Sequence, residues 1–232
     1  MSDEFTYIEE NVARLKDRIE KAAASCGRDP DEITLVGVTK TIDIARMKRL
    51  TECGVNTLGE NRVQELLEKH DSFPDCEWHL IGNLQKNKVK YLPGKVSLIH
   101  SVDSIGLASE LDRKAAATGI RFDVLVEINI AGEETKFGIR PEETDEFIES
   151  ASHFKNISVK GLMTIAPYTG DMKKIGRLFE NIYKIYIDMQ NKRVDNTNIQ
   201  CLSMGMTNDF EMAIREGSNM IRIGTAIFGQ RK

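Results

Sequence analysis

The sequence predicts an α/β fold, a single (β/α)8 barrel of the TIM type with an extra N-terminal helix. Three observations predict it. Eight short apolar runs recur, at 33–38, 56–59, 78–81, 98–102, 124–128, 158–163, 200–203 and 221–223. Helical patterns lie between them, and alternation repeated about eight times reads as a parallel barrel. No GxGxxG turn follows the first run, which disfavours an open doubly wound sheet. No Pro-rich or Ser-rich linker divides the chain, so residues 1–232 read as one domain.

The opening helix carries Phe5, Ile8, Val12, Leu15 and Ile19 at three- and four-residue steps, which puts them on one face. Cys26-Gly27 and Pro30 end it. The first strand, Ile33 to Val38, is β-branched and uninterrupted, as a strand buried on both faces should be. Between the fourth and fifth runs, Leu107, Leu111 and Ala115 share a face of a helix over 105–118. Asp103 or Ser104 caps that helix and Gly119 stops it. Pro141 suits the first position of the helix bearing Phe147 and Ile148. A long amphipathic helix follows the sixth run, with Ile175, Leu178, Phe179, Ile182, Ile185, Tyr186 and Met189.

Composition narrows the function classes. The formal net charge of −4 argues against a non-specific nucleic-acid binder. Cys26, Cys53, Cys76 and Cys201 are scattered, with no CxxC pair and no histidine at zinc-ligand spacing, so no metal site is expected. No apolar run approaches the ~20 residues that span a bilayer. The first residues show no basic stretch leading into an apolar one, so no secretory signal is expected. A cytoplasmic protein with no membrane partner follows as the expectation.

In a barrel, chemistry gathers where strands end. Lys40 ends the first strand and reads as a solvated strand cap or as a Schiff-base lysine. The second role needs a neutral amine, hence burial or a nearby cation to lower a pKa of about 10.4. Asn61 follows the second strand and reads as part of a turn that starts a helix or as a residue facing the rim. His79 on the third strand reads as a core histidine or a site residue, with a polar stretch, Asn83 to Lys88, just beyond. Lys136, in the loop after the fifth strand, reads as an exposed lysine or a second amine above the site. Met163, on the sixth, reads first as core. The last two strands offer an anion site. Ser203-Met204-Gly205-Met206-Thr207 follows the seventh, and Arg222-Ile223-Gly224-Thr225 lies on the eighth. Barrels often hold phosphate there; Gly224 admits close approach, and the Ser203 and Thr225 hydroxyls can donate.

Together these motifs resemble the YggS/PROSC family of PLP-binding proteins, the pyridoxal 5'-phosphate (PLP) homeostasis proteins. The resemblance covers essentially the whole chain. It is carried by Val38-Thr39-Lys40, Gly59-Glu60-Asn61, His79-Leu80-Ile81-Gly82 with Leu84-Gln85 and Asn87-Lys88, Leu202-Ser203-Met204-Gly205-Met206, and Arg222 to Gly229. It implies a fold similar to the alanine racemase N-terminal domain and PLP held as a Schiff base on Lys40. It implies phosphate contacts from Ser203, Gly224 and Thr225, Asn61 and Met204 near the cofactor, and Arg222 near the pyridine nitrogen. Lys136 matches a second lysine implicated in PLP handling. The chain departs from the family pattern at Arg62, where an aromatic residue is common, and at Thr207, where serine is common.

The resemblance implies a role in vitamin B6 homeostasis, with PLP-dependent apo-enzymes as recipients, rather than an enzyme. A weakly active PLP-dependent amino-acid racemase is the alternative, and a PLP-free barrel aldolase a third reading. Racemases bring a second, mostly β domain, and the given chain ends at Lys232, just past the eighth strand. A non-catalytic monomer is the expectation. An arginine facing the pyridine nitrogen disfavours its protonation and weakens the ring as an electron sink, which suits either a restrained racemase or a site that holds PLP without much chemistry.

Overall fold

The computed structural model describes residues 5–230. Residues 1–4, where the absence of a secretory signal was read, and Arg231 and Lys232, where the chain's end was read, lie outside the described residues. Eight parallel strands close into a barrel in chain order. They are β1 (Thr34–Val38), β2 (Thr57–Glu60), β3 (Glu77–Leu80), β4 (Leu98–Val102), β5 (Phe122–Ile128), β6 (Ile157–Thr164), β7 (Thr197–Ser203) and β8 (Met220–Ile223). β1 closes the ring by pairing with both β2 and β8.

The helices are α1 (Thr6–Ser25), α2 (Ile44–Glu52), α3 (Val63–His70), α4 (Ile105–Thr118), α5 (Thr144–Ser152), α6 (Met172–Lys192), α7 (Phe210–Arg215) and α8 (Thr225–Phe228). α1 is the expected extra helix, and its stripe of Ile8, Val12, Leu15 and Ile19 is buried. The expected caps of α4 are present: Ser104 accepts from Leu107 N–H, and Gly119 sits at φ 67°. Between β3 and β4 the alternation yields only a 3-10 segment, Lys86–Tyr91. Val89 is its one buried residue, so no apolar stripe exists to hold a longer helix against the barrel. β7 starts at Thr197, before the apolar run, because exposed Asn198 and Gln200 flank buried Ile199. That alternation marks a strand wetted on one face, which a search for continuous apolar runs passes over. No helix of the described residues is long and apolar enough to cross a membrane.

Alternation along the strands separates two cores. Val36, Val38, Ile81, Leu98, Leu125, Met163 and Met220 fill the barrel interior. A larger cluster, including Leu58, Leu80, Val126, Leu202 and Ile223, packs the outer faces against the helices. A residue's parity therefore decides whether it can line the mouth or must sit behind the wall.

Candidate functional site

The C-terminal mouth is built first by register. Val36 pairs with Arg222 and Gly37 with Ile223 on one side, and Val38 pairs with Gly59 on the other. Continuing past the strand ends, Lys40 lies between Asn61 and the segment beginning at Gly224. Val38 faces inward and Thr39 is tied behind the wall to Glu60, and half-buried Lys40 follows in the turn just past the end of β1. Asn61 is held by close approach of the next loop. A Cβ on Gly82 would lie 2.4 Å from the Asn61 carbonyl oxygen, so only glycine lets the two rim loops touch.

The anion corner expected from the sequence lies where β7 and β8 end. Gly205 takes φ +97°, and a Cβ there would sit 2.6 Å from that of Ala213, so glycine is required to turn the chain back toward α7. The turn carries Thr207, whose hydroxyl accepts from Ala226 N–H at 3.3 Å, leaving its own hydrogen for an outside acceptor. Gly224 is the N-cap of α8 and supplies no side-chain cap. Of the opening N–H groups of that short helix, Ile227's goes to the Gly224 carbonyl and Ala226's to Thr207, while Thr225's lacks an intrahelical acceptor, at the place where barrels often bind phosphate. Thr225 is exposed at the same corner. This donor set, with a lysine beside it, fits a phosphorylated aldehyde.

Below the mouth lies a buried polar layer. Arg222 donates through Nη1 to the Ser203 carbonyl (2.9 Å) and hydroxyl (2.6 Å), and through Nη2 to the Thr164 carbonyl (2.8 Å). Because arginine only donates, the Ser203 hydroxyl must accept from it and pass its own hydrogen to His100 Nδ1, 3.2 Å away. His100 Nε2 then carries the proton and donates to His79 Nδ1 at 3.0 Å. One direction of donation runs Arg222, Ser203, His100, His79, and it fixes both imidazoles as neutral tautomers. Burial depresses the His79 pKa to about 4. Burial, then His79 and Arg222, hold His100 well below the ordinary histidine value. Burial also brings Arg222 down to about 10, opposed by the Glu127 and Asp209 carboxylates. Glu127, in the same layer, is raised to about 7 by burial and then by Asp103, against the pull of Arg222.

A second buried cluster sits behind the wall, between β2 and α3. The Glu60 side chain is fully enclosed. Its Oε1 accepts from Lys69 Nζ and from the Thr39 hydroxyl, both at 2.7 Å, while its Oε2 has no hydrogen-bond donor. Lys69 also donates to the Thr39 carbonyl at 2.8 Å and lies 3.4 Å from the Glu65 carboxylate. Glu65 Oε2 accepts from Thr41 N–H at 3.0 Å. Burial, then the neighbouring Glu65 carboxyl, raise Glu60 to about 7, against the pull of Lys69. Burial would raise Glu65 as well, but contacts with Glu60, Thr41 N–H and Lys69 bring it below the usual value. Thr41 has φ 63°, a left-handed conformation that costs a residue with a Cβ roughly 1–2 kcal/mol.

The expected site residues thus fall into groups. Lys40, Asn61, Gly224 and Thr225 meet at the rim, while His79, Met163, Ser203 and Arg222 lie in the interior. The Ser203 hydroxyl is engaged by Arg222 and His100 in the interior, while the Thr207 hydroxyl on the turn after β7 accepts from Ala226 N–H. Met204 has outward parity, and its side chain is buried in the outer core. Lys136 lies in the loop after β5, across the barrel from β1, with its amine 3.5 Å from the Glu133 carboxylate. Sequence reasoning passed over His100, Glu127 and the Glu60–Lys69 cluster. Each sits in a strand or helix whose apolar neighbours dominate the pattern; the one signal was a charge inside an otherwise apolar run.

The family model of the alanine racemase N-terminal domain matches residues 8–232. A relative from Aquifex aeolicus, named pyridoxal phosphate homeostasis protein, is 44% identical over 225 residues, 96% of this chain and 98% of its own. PipY of Synechococcus elongatus, solved with PLP bound, superposes with a TM-score of 0.83 at 30% identity, over 96% of this chain and all of its own. An alanine racemase from Clostridium difficile superposes with a TM-score of 0.78 at 18% identity, and the match covers 97% of this chain and 60% of that one.

Proposed function

This chain belongs to the alanine racemase N-terminal domain family and, within it, to the pyridoxal phosphate homeostasis proteins, and from that membership we propose that it binds PLP through a Schiff base on Lys40. What carries the reading is the β2–β1–β8 register, which sets a half-buried lysine beside a glycine-built anion corner. The relative solved with PLP, similar over 96% of this chain, supports the same ligand. When bound, PLP supplies an aldehyde for the lysine and an electron-withdrawing ring.

The chain's own residues divide the work. The Thr207 and Thr225 hydroxyls and the Thr225 N–H at the start of α8 hold the phosphate. Asn61, locked by Gly82, orients the ring's face of the mouth. Arg222 closes the floor as a fixed cation, tied by Ser203 and Thr164, and keeps positive charge beneath the ring. The two neutral histidines extend that floor without adding a mobile proton. We read the protein as a holder of PLP that serves PLP-dependent apo-enzymes, and not as a racemase. The match to the Aquifex relative, which spans nearly all of both chains, supports that reading, while the cationic floor suits a holder or a restrained racemase alike.

Lys40→Ala is expected to abolish the visible absorbance band of lysine-bound PLP, while pyridoxine 5'-phosphate, which lacks the aldehyde, still binds. Absorbance titration with PLP and calorimetry with pyridoxine phosphate check both halves. A band that survives the substitution assigns the cofactor to another lysine.

A further inference from the structure

Both peptide units that flank Lys40 are gripped from behind the barrel wall. On the N-terminal side, Thr39 is held twice: its carbonyl accepts from Lys69, and its hydroxyl donates to Glu60. On the C-terminal side, Thr41 N–H donates to Glu65. The three charged groups touch one another, with Lys69 2.7 Å from Glu60 and 3.4 Å from Glu65. None of them lines the mouth, because Glu60 has outward parity and Glu65 and Lys69 come from α3.

What the grip accomplishes follows from Thr41. A β-branched residue at φ 63° does not persist unless its surroundings over-determine it. Left to itself, this turn would relax toward negative φ and swing the Lys40 Cα–Cβ bond. The Glu65 bond to Thr41 N–H opposes that relaxation, and Lys69 with Glu60 prevents Thr39 from following. Lys69 reaches three partners and Glu60 is enclosed, so the cluster moves as one body or not at all.

We propose that Glu60, Glu65 and Lys69 form a positioning clamp for Lys40, holding the peptide on each side of it so that the strained turn at Thr41 presents the lysine amine to an aldehyde at the mouth. The proposal rests on Lys40 being the Schiff-base lysine. The bond-forming step is the ordinary one: the amine nitrogen attacks the aldehyde carbon, water leaves, and no further reactant is needed. The three residues touch neither reacting atom and act through backbone geometry alone.

The unoccupied donor position at Glu60 Oε2 agrees with this division of labour. The Glu65 carboxyl neighbours that of Glu60, so one proton between the two would complete the clamp without disturbing either threonine.

Stopped-flow absorbance on the full chain tests the clamp, with the rate of band formation after mixing with PLP as one readout and pyridoxine phosphate affinity as the other. Glu65→Ala is expected to slow band formation about tenfold to a hundredfold, the range that misplacing a reacting group produces. Pyridoxine phosphate affinity should be unchanged, because the anion corner lies on β7 and β8. Glu65→Gln should restore the rate, since its amide oxygen still accepts from Thr41 and its amide nitrogen can donate to Glu60. An unaltered rate in Glu65→Ala, or equal losses in both readouts, overturns the clamp. Should Glu65→Ala fail to fold, Lys69→Met decides: it frees the Thr39 carbonyl and leaves the anion corner untouched, so a slowed band with unchanged pyridoxine phosphate affinity supports the clamp and an unchanged rate overturns it. A wild-type chain that forms no band overturns the Lys40 reading and the clamp with it, whereas a failed clamp leaves the wild-type band intact.

Discussion

Inside the barrel, Arg222 gives its guanidinium to two carbonyls and a hydroxyl; outside the wall, Glu60 meets Lys69 with one oxygen and finds no donor for the other. Both clusters are buried, both contain a strong ion, and both stand within a few residues of the mouth. They differ in what is left over. In the inner layer, a one-way chain of donors from Arg222 ends in neutral histidines, so each hydrogen of that chain has one place to go, and the layer's raised carboxyl, Glu127, is not part of it. The outer cluster pairs two carboxylates with one cation and so has room for a proton. A satisfied network makes a rigid floor, whereas an acid-rich one responds to pH and to its neighbours. The contrast matches their positions: the floor lies beneath the anion corner, and the acid-rich cluster holds the backbone of the lysine.

The contrast is broken most severely at Arg222. Arg222→Met fills similar volume but leaves the Ser203 and Thr164 carbonyls without donors and Glu127 without a cation. Removing one partner of a buried charge network typically costs about 3–5 kcal/mol. Urea denaturation near neutral pH should show a loss of that size. A loss well below about 1 kcal/mol, the worth of a single hydrogen bond, would mean that the inner layer is not the satisfied network described.

The outer cluster should respond less, and its response should depend on pH. Glu60 has an ordinary carboxyl value of 4.5 when unfolded and about 7 when folded. The folded state therefore retains a proton that the unfolded chain releases. Its stabilising contribution is complete below the unfolded value and is lost as pH rises through the folded one. Lys69→Met removes the cation that lowers the Glu60 pKa, pushing it higher still and steepening that loss. The expected cost is about 1–3 kcal/mol at about pH 8 and smaller at about pH 5, where Glu60 is protonated and does not need the lysine. Denaturation midpoints at the two pH values check it. A cost that is equal at both, or larger in acid, would remove the proton-bearing character assigned to this cluster.

Some of this was legible in the sequence and some was not, for identifiable reasons. Buried strands announce themselves by continuous apolar runs, so the barrel, its strand order and the rim position of Lys40 could be read directly. Parity near strand ends was harder. Ser203 and Met204 are adjacent, and without the register neither could be assigned to the interior or the outer wall; the structure puts the serine under the anion corner and the methionine outside. The Glu60–Lys69 cluster joins a strand end to a helix nine residues later and to a threonine twenty-one residues earlier. Nothing local marks such a junction, since Glu65 and Lys69 alone look like an ordinary i,i+4 pair on an exposed helix face. The strain at Thr41 is likewise invisible, because threonine carries no signal for positive φ.

The smallest effect tests the Ser203 assignment, where family resemblance and observed geometry part. If Ser203 belongs to the floor, Ser203→Ala removes an acceptor from Arg222 and a donor from His100, and costs about 1 kcal/mol of stability. Its effect on phosphate-ester binding should be indirect and slight. Thr207→Val does the reverse. Valine keeps the shape but cannot accept from Ala226 N–H or donate to an anion, so pyridoxine phosphate affinity should fall about tenfold, which is ~1.4 kcal/mol, with a smaller change in stability. Calorimetry and urea denaturation on both variants give a two-by-two comparison. If Ser203→Ala loses more phosphate affinity than Thr207→Val, the serine hydroxyl turns upward when the anion arrives. Arg222 would then have to release it, and the inner layer would be a switchable network instead of a fixed floor.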